Sequence, residues 1–183
     1  MHQKNIIRKK YYLLRKKKYY DISKNFFNPL LSLLKSKYQN KRINLALYYP
    51  SSSELNVLKL LDIKYFSHQN LLLPSIGKKK TMNFYLWKKN DVLSINKYGM
   101  LEPFKSKIMI PDTILVPLLA FDKSKSRLGY GKGYYDRYLN KHRKNFKNIL
   151  SIGVAFSFQK YHNLPVNYKD VTLNYILTEK GVY

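Results

Sequence analysis

Cysteine is absent from the 183 residues, which excludes disulfides, thiolate nucleophiles and cysteine-based zinc sites together. A reducing cytoplasm is compatible with that absence and is the expected location. Acidic residues are scarce: ten Asp and Glu stand against 35 Lys and Arg, for a formal net charge of +25. No apolar run approaches the roughly 18–20 residues that a membrane helix needs. The basic stretch from Met1 to Lys18 is not followed by a signal-type apolar core. A soluble protein with no membrane partner is therefore expected. The four histidines, His2, His68, His142 and His162, show no His-x-x-x-His or comparable metal spacing. A G-x-S-x-G elbow is also missing, against an ordinary α/β-hydrolase.

What is present suits a folded globule. Hydrophobic residues make up 45% of a 21.9 kDa chain, enough for a core in a single domain spanning residues 1–183. The positive excess would attract nucleic acid, anionic membrane or nucleotides. Most of it is Lys, accompanied by abundant Asn, Ile and Tyr, all with A/T-rich codons, so compositional drift accounts for it without a polyanionic partner. A basic RNA-binding protein, with tyrosine pairs such as Tyr11-Tyr12 and Tyr19-Tyr20 stacking on bases, is the alternative. A retained fold without activity is another.

Residues 4–20 suit a helix that lays Ile6, Ile7, Leu13 and Leu14 among long basic stems. Ser23 is a possible cap for a second helix, with a firmer start at Asn28-Pro29. Ile43–Tyr49 reads as a buried strand, after which Ser53 is placed to cap a helix through Glu54–Leu61. Leu71–Pro74, Asn83–Trp87, Thr113–Phe121, Ile149–Ala155 and Thr172–Leu177 read as further strands, with a helix from about Tyr134 to Arg143. Lys78–Lys80 and Lys88–Asp91 look like solvated turns. Tyr98–Phe104 has turn residues and no period. Strands alternating with helices imply an α/β fold with a mostly parallel, Rossmann-like sheet and helices on both faces. Ligands then bind beyond the carboxyl ends of the strands, which singles out the loops after Tyr49, Phe121 and Ala155.

One of those loops carries chemistry. Arg127–Asp136 reads RLGYGKGYYD, with Gly129, Gly131 and Gly133 between the strongest strand and a helix. Alternate glycines let a ligand approach the backbone closely, and the helix start adds positive potential, so the loop suits phosphate; a flexible turn is the other reading. The Walker and dinucleotide-binding spacings are both absent. Asp136 falls in the first helical turn, where a carboxylate is favourable through the helix dipole alone. A Mg²⁺ ligand beside a nucleotide is the competing reading.

Residues 112–139, DTILVPLLAFDKSKSRLGYGKGYYDRYL, resemble the signature of the 5-formyltetrahydrofolate cyclo-ligases, also called 5,10-methenyltetrahydrofolate synthetases. Lesser marks fall in the same order: Tyr48-Tyr49-Pro50 followed by Glu54, Pro74, Gly99 with Glu102-Pro103, Leu164-Pro165, Asp170 and Thr178–Val182. The resemblance implies an enzyme that uses ATP and Mg²⁺ to close a ring on 5-formyltetrahydrofolate. It implies ATP held by Arg127, Leu128, Gly129, Tyr130, Gly131, Lys132, Gly133, Tyr134 and Tyr135, with Arg127 and Lys132 neutralising charge as catalytic residues. It further implies Mg²⁺ at Asp136 with Asp170 as a second carboxylate, and Glu54 at the folate. The N-terminal K-x-x-L-R of the family is matched by Lys4-x-x-Ile7-Arg8, with Lys10 or Arg15 as alternative phosphate contacts. Where relatives carry a second acid after Asp170, this chain has Asn174. A monomer acting on folate and ATP, with no specific nucleic-acid partner, is the expected whole.

Overall fold

The computed structural model describes residues 2–145 and 149–183. Helix α1 (His2–Lys18) leads to α2 (Asn28–Tyr38), strand β1 (Asn44–Ala46), the single turn α3 (Lys64–Ser67), then β2 (Asn70–Ile76) and β3 (Met82–Leu86). Next come β4 (Leu93–Ile95), β5 (Leu101–Pro103), β6 (Ile108–Met109), β7 (Thr113–Pro117), β8 (Ala120–Phe121) and β9 (Arg127–Leu128). Helix α4 (Tyr134–Asn145), β10 (Leu150–Val154), β11 (Tyr175–Thr178) and β12 (Gly181–Val182) complete the order. An eight-stranded sheet runs β12-β11-β10-β7-β1-β2-β3-β6. Its centre, from β11 to β2, is parallel, with Leu45 opposite both Leu71 and Thr113 and Ile152 opposite Leu115. The edge strands β12, β3 and β6 join antiparallel.

Alternation along the central strands builds two cores. Leu45, Leu71, Leu115, Ile152 and Leu177 point to one face, where Phe27, Leu30 and Leu34 of the α2 region cover them. Ala46, Leu72, Ile114, Val116 and Ile176 point to the other, under Tyr138 and Leu139 of α4. Both faces are thus covered, which is why these strands read as unbroken apolar runs. Helix α1 does something else. Its Ile7 and Tyr11 pack with Leu119, Ala120 and Leu128 in a third cluster over the β8–β9 hairpin, so it covers that hairpin rather than a sheet face. Among the described residues no helix is long and apolar enough to cross a membrane.

Several sequence-based elements shift for identifiable reasons. The run Thr113–Phe121 is not one strand: β7 stops at Pro117, which has no N–H to donate to a ladder, and Ala120–Phe121 turns away to pair with Arg127–Leu128. Ser53 caps nothing. The chain closes a turn in which the Glu54 amide donates to the Ser51 carbonyl at 3.0 Å, and the next helical turn, a 3₁₀ segment at Val57–Asp62, takes its cap from Asn56, which accepts from the Leu58 amide at 3.1 Å. The aperiodic Tyr98–Phe104 region contains β5, paired with β4 as a hairpin. The turn between them is stapled by the Asn96 side chain, which accepts from the amides of Tyr98 and Met100, with Gly99 at φ +73°. The last strand begins at Tyr175, after Asn174 has turned its side chain to β10.

Gly153, inside β10, has no room for a side chain: a Cβ there would lie 2.7 Å from Ile176 and from Leu118 and 2.8 Å from Leu173. Gly153→Ala should therefore lower stability by about 1–3 kcal/mol through overpacking, roughly 2–12 °C in Tm for a chain of this size. Thermal melts of the two proteins check it, and an unchanged Tm would show that the sheet and α4 side yield freely.

Candidate active site

Tyr48-Tyr49 just beyond β1, Pro74 and Ile76 in the carboxyl-terminal half of β2, and Pro117 at the end of β7 line one cavity of about 1250 Å³. Its position follows the rule for open parallel sheets. Its volume exceeds the roughly 300–1,000 Å³ typical of a site for one small molecule, which leaves room for two. Lys4, Arg8, Glu54, Arg127, Asp136, Asp170 and the whole stretch from Leu128 to Tyr135 line it. Of the residues singled out for ATP, Mg²⁺ or folate in the sequence, all but the alternatives Lys10 and Arg15 thus meet in one place.

The glycine loop links β9 to α4. Gly131 and Gly133 sit at φ +91° and +66°, backbone that residues with a Cβ rarely adopt. Arg8 takes the space over the loop: its Cζ would be 3.1 Å from a Cβ on Gly131, and its Nε donates to the Gly129 carbonyl at 2.9 Å. Of the alternatives for the N-terminal cation, Lys10 is exposed and Arg15 is buried beneath the loop, so Arg8 is the one at its surface. Lys132 lies over the ring of Tyr98, 5.5 Å from its centre, and the Tyr98 and Tyr134 hydroxyls are 3.3 Å apart. The β4–β5 hairpin therefore touches the glycine loop across the cavity. Burial pushes the Tyr135 hydroxyl well above its ordinary pKa, so it stays protonated at neutral pH.

Asp136 is more than a first-turn carboxylate. Its Oδ1 accepts from Arg127 Nη2 at 2.8 Å and from the Val171 amide at 3.1 Å, while Arg127 Nη1 donates to the Val171 carbonyl at 2.8 Å. Asp136 Oδ2 carries no hydrogen bond among the described residues. Asp170 pairs with Lys4 and accepts from the Asn167 amide at 2.8 Å. Among the described residues no three His, Cys, Asp or Glu gather as a metal cage. Two carboxylates in a cavity are nonetheless the donor set that suits Mg²⁺, which takes one or two carboxylates and fills its octahedron with phosphate oxygens and water. Asn174 is not part of that set: its Oδ1 accepts from the Ser151 amide at 2.9 Å and hydroxyl at 2.8 Å, tying β10 to the segment before β11.

Glu54 is 7% exposed. Its Oε2 accepts from the Ser51 amide at 2.9 Å, and Arg15 and the Tyr130 hydroxyl lie beside it. Burial raises its pKa above the ordinary 4.5, while the Ser51 amide, Arg15 and Tyr130 pull it back. Glu102, also buried at the cavity, accepts from the Ser75 hydroxyl, the Ile76 amide and Asn96 Nδ2 at 2.7–2.8 Å. It anchors the β4–β5 hairpin to β2. Sequence reasoning assigned no structural role to Arg15, Tyr98 or Glu102. The signal for Arg15 was its spacing, because Lys4, Arg8, Tyr11 and Arg15 follow the i, i+4, i+7, i+11 pattern of one helical face.

The raised pKa of Glu54 has a consequence for stability. The folded protein keeps this proton to higher pH than the unfolded chain, so the stability the group contributes is present at low pH and is lost as pH rises through the folded value. Glu54→Gln removes that loss. The Tm of the Gln variant should therefore gain on the parent as pH rises above the ordinary 4.5, as followed by melts over a pH series. A variant that instead loses ground as pH rises would show that Arg15 and Tyr130 outweigh burial.

Against this geometry, the chain matches the 5-formyltetrahydrofolate cyclo-ligase family over residues 5–179. It is 31% identical over 146 residues to the 5-formyltetrahydrofolate cyclo-ligase of Haemophilus influenzae, covering 76% of this chain and 77% of that one. Among solved structures, the 5,10-methenyltetrahydrofolate synthetase of Aquifex aeolicus superposes with a TM-score of 0.73 at 31% identity, over 98% of this chain and 91% of the other. That of Mycoplasma pneumoniae gives 0.72 at 26% identity, over 95% and 97%. The signature carried by residues 112–139, the parallel sheet with its cavity at the strand ends, and these matches agree: the chain belongs to the 5-formyltetrahydrofolate cyclo-ligase family.

Proposed function

We propose that this protein uses ATP and Mg²⁺ to convert 5-formyltetrahydrofolate into 5,10-methenyltetrahydrofolate, releasing ADP and phosphate. The observation that carries the proposal is that one cavity of about 1250 Å³ holds both a glycine loop flanked by cations and a buried carboxylate, so two ligands of different character fit side by side. In this reading a cytoplasmic monomer takes folate and ATP as its partners and no specific nucleic acid.

The chemistry follows from the leaving group. The formyl oxygen on N5 is amide-like and departs poorly. If it attacks the terminal phosphorus of ATP, the P–O bond to ADP breaks and the formyl carbon acquires a phosphate leaving group. The lone pair of N10 then attacks that carbon, the N10 proton is lost, and phosphate departs with the C–O electron pair. None of these steps needs a covalent nucleophile from the protein, whose task is placement and neutralisation.

The glycine loop, with Lys4 and Arg8 from α1, would seat the phosphates. Lys132 reaches from the middle of the loop and is the mobile cation for the transferring group, whereas Arg127, its side chain 4% exposed and hydrogen-bonded to Asp136, adds fixed positive potential and holds the carboxylate in place. Asp136, with Asp170 as a second carboxylate, would hold Mg²⁺. That ion supplies charge neutralisation to the phosphates when bound. Glu54 offers acceptor oxygens to the N–H groups of the pterin.

The optical appearance of methenyl product in a mixture of protein, 5-formyltetrahydrofolate, ATP and Mg²⁺, and its absence when either ATP or Mg²⁺ is left out, is the expected result; a folded, nucleotide-binding preparation that forms none overturns the proposal. Asp136→Asn should lower turnover about 10²-fold or more, as for one preorganised electrostatic contact, and raise the Mg²⁺ requirement. Its amide oxygen still accepts from Arg127 but no longer neutralises it, so a stability loss of about 1–3 kcal/mol should accompany the change. Turnover measured in a magnesium titration well below the variant's Tm separates the two effects. Unchanged turnover and magnesium dependence would leave Asp136 a purely structural partner of Arg127.

A further inference from the structure

Three polar groups meet at the glycine loop: Arg15, Tyr130 and Glu54. Tyr130 stands between Gly129 and Gly131, and although it is 47% exposed its hydroxyl reaches a buried arginine. The hydroxyl accepts a hydrogen bond from Arg15 Nη2 and is within hydrogen-bonding reach of the Glu54 carboxylate. Arg15 is 2% exposed. Its Nη1 donates to the Leu118 carbonyl at 3.2 Å, and its Cζ is 5.6 Å from the centre of the Tyr130 ring. A guanidinium, a hydroxyl and a carboxylate thus stand together: Arg15 donates to the tyrosine oxygen, and Tyr130 and Glu54 line the same cavity, close enough to interact.

Physical reasons make this arrangement consequential. A buried carboxylate is stable only with partners, and removing one leaves the rest of the group unsatisfied. The Ser51 amide binds Oε2 and the Tyr130 hydroxyl stands beside the same carboxylate, so the two together bias which way it faces. Tyr130 also belongs to the loop that seats phosphate. Any adjustment of that loop around a nucleotide moves a direct partner of Glu54, and by reciprocity folate bound at Glu54 restrains the loop.

Resting on the folate reading of Glu54, we propose that Arg15 and Tyr130 are positioning residues that orient the Glu54 carboxylate toward the pterin N–H groups and tie it to the glycine loop, so that nucleotide and folate bind with positive coupling. Neither residue touches the reacting atoms. Arg15 acts through Tyr130, and Tyr130 acts through Glu54.

The test is calorimetric binding of 5-formyltetrahydrofolate, with and without the non-hydrolysable β,γ-imido analogue of ATP and Mg²⁺, to the parent protein, Tyr130→Phe, Arg15→Lys, Arg15→Met and Glu54→Gln. For the parent, nucleotide should tighten folate binding at least about 5-fold, the lower end of usual coupling. Tyr130→Phe should weaken folate binding about 10-fold, as for one hydrogen bond to a charged group. It should also abolish the coupling, and its loss of folate affinity should exceed any loss of nucleotide affinity. Adding Tyr130→Phe to Glu54→Gln should cost little more, because Tyr130 acts only through Glu54. Arg15→Lys should recover part of what Arg15→Met loses, and if Arg15→Met does not fold, Tyr130→Phe and Arg15→Lys still decide. Parent-like folate affinity and coupling in Tyr130→Phe would overturn the proposal, as would equal losses of both ligands with a lowered Tm. A parent protein that neither binds nor turns over 5-formyltetrahydrofolate would overturn the activity reading instead, so the two failures are distinguishable.

Discussion

The buried guanidinium of Arg127 holds the site together. From the end of β9 it donates to the Val171 carbonyl and to Asp136, whose Oδ1 in turn accepts from the Val171 amide. Three stretches distant in sequence, the start of the glycine loop, the first turn of α4 and the segment before β11, are thereby fixed to one another. This closed set of hydrogen bonds fixes the two ends of the loop, while Arg8 and Arg15 hold its middle. With it, the loop has a definite path and Asp136 has one oxygen engaged and one open to the cavity. The arrangement also means that the arginine closest to the loop's root is committed to structure, while Lys132, Lys4 and Arg8 are among the other cations that line the cavity.

A second organising fact is how the few carboxylates are used. Of ten acidic residues, Glu54, Glu102, Asp136 and Asp170 line the cavity. Each of the others has a local structural task or a surface partner. Asp112 accepts from the Asn44 amide at the foot of β1, and Asp122 accepts from the amides of Ser124, Ser126 and Leu164. Asp91 and Glu179 accept from the amides of Lys88 and Ser157, while Asp21 and Asp62 pair with Lys59 and Lys89. A chain this basic has kept its acids where a backbone amide, a cation or the cavity demands one. The positive field that results favours anionic ligands generally and selects none of them; selection falls to the cavity's shape and its buried carboxylates.

Helix α1 shows how one element serves both core and site. Ile7 and Tyr11 pack against the β8–β9 hairpin, and the Tyr11 hydroxyl donates to the Lys160 carbonyl at 3.0 Å. That packing fixes the rotation of the helix. Lys4 and Arg8 are carried to the upper side of the glycine loop, and Arg15 to its underside, because they lie on the same helical face as the buried anchors.

Much of this was legible in the chain itself. Continuous apolar runs at Ile43–Tyr49, Thr113–Phe121 and Ile149–Ala155 identify buried parallel strands, since a sheet covered on both faces needs apolar residues at every position. The ordered pattern of residues 112–139 carries the family resemblance, and with it the glycine loop, Asp136, Asp170 and Glu54. Local pattern did not reveal that Pro117 ends β7 and sends Ala120–Phe121 into a hairpin, or that Glu54 folds back on Ser51 and displaces the helix start to Asn56. Nor did it show the partnering of Arg127 with Asp136, or of Arg15 with Tyr130. Those contacts join residues 9 to 115 positions apart. Spacing along the chain records helix faces and strand alternation, whereas the choice of partner for a buried charge is made only when distant segments are packed and every desolvated group must find a hydrogen bond.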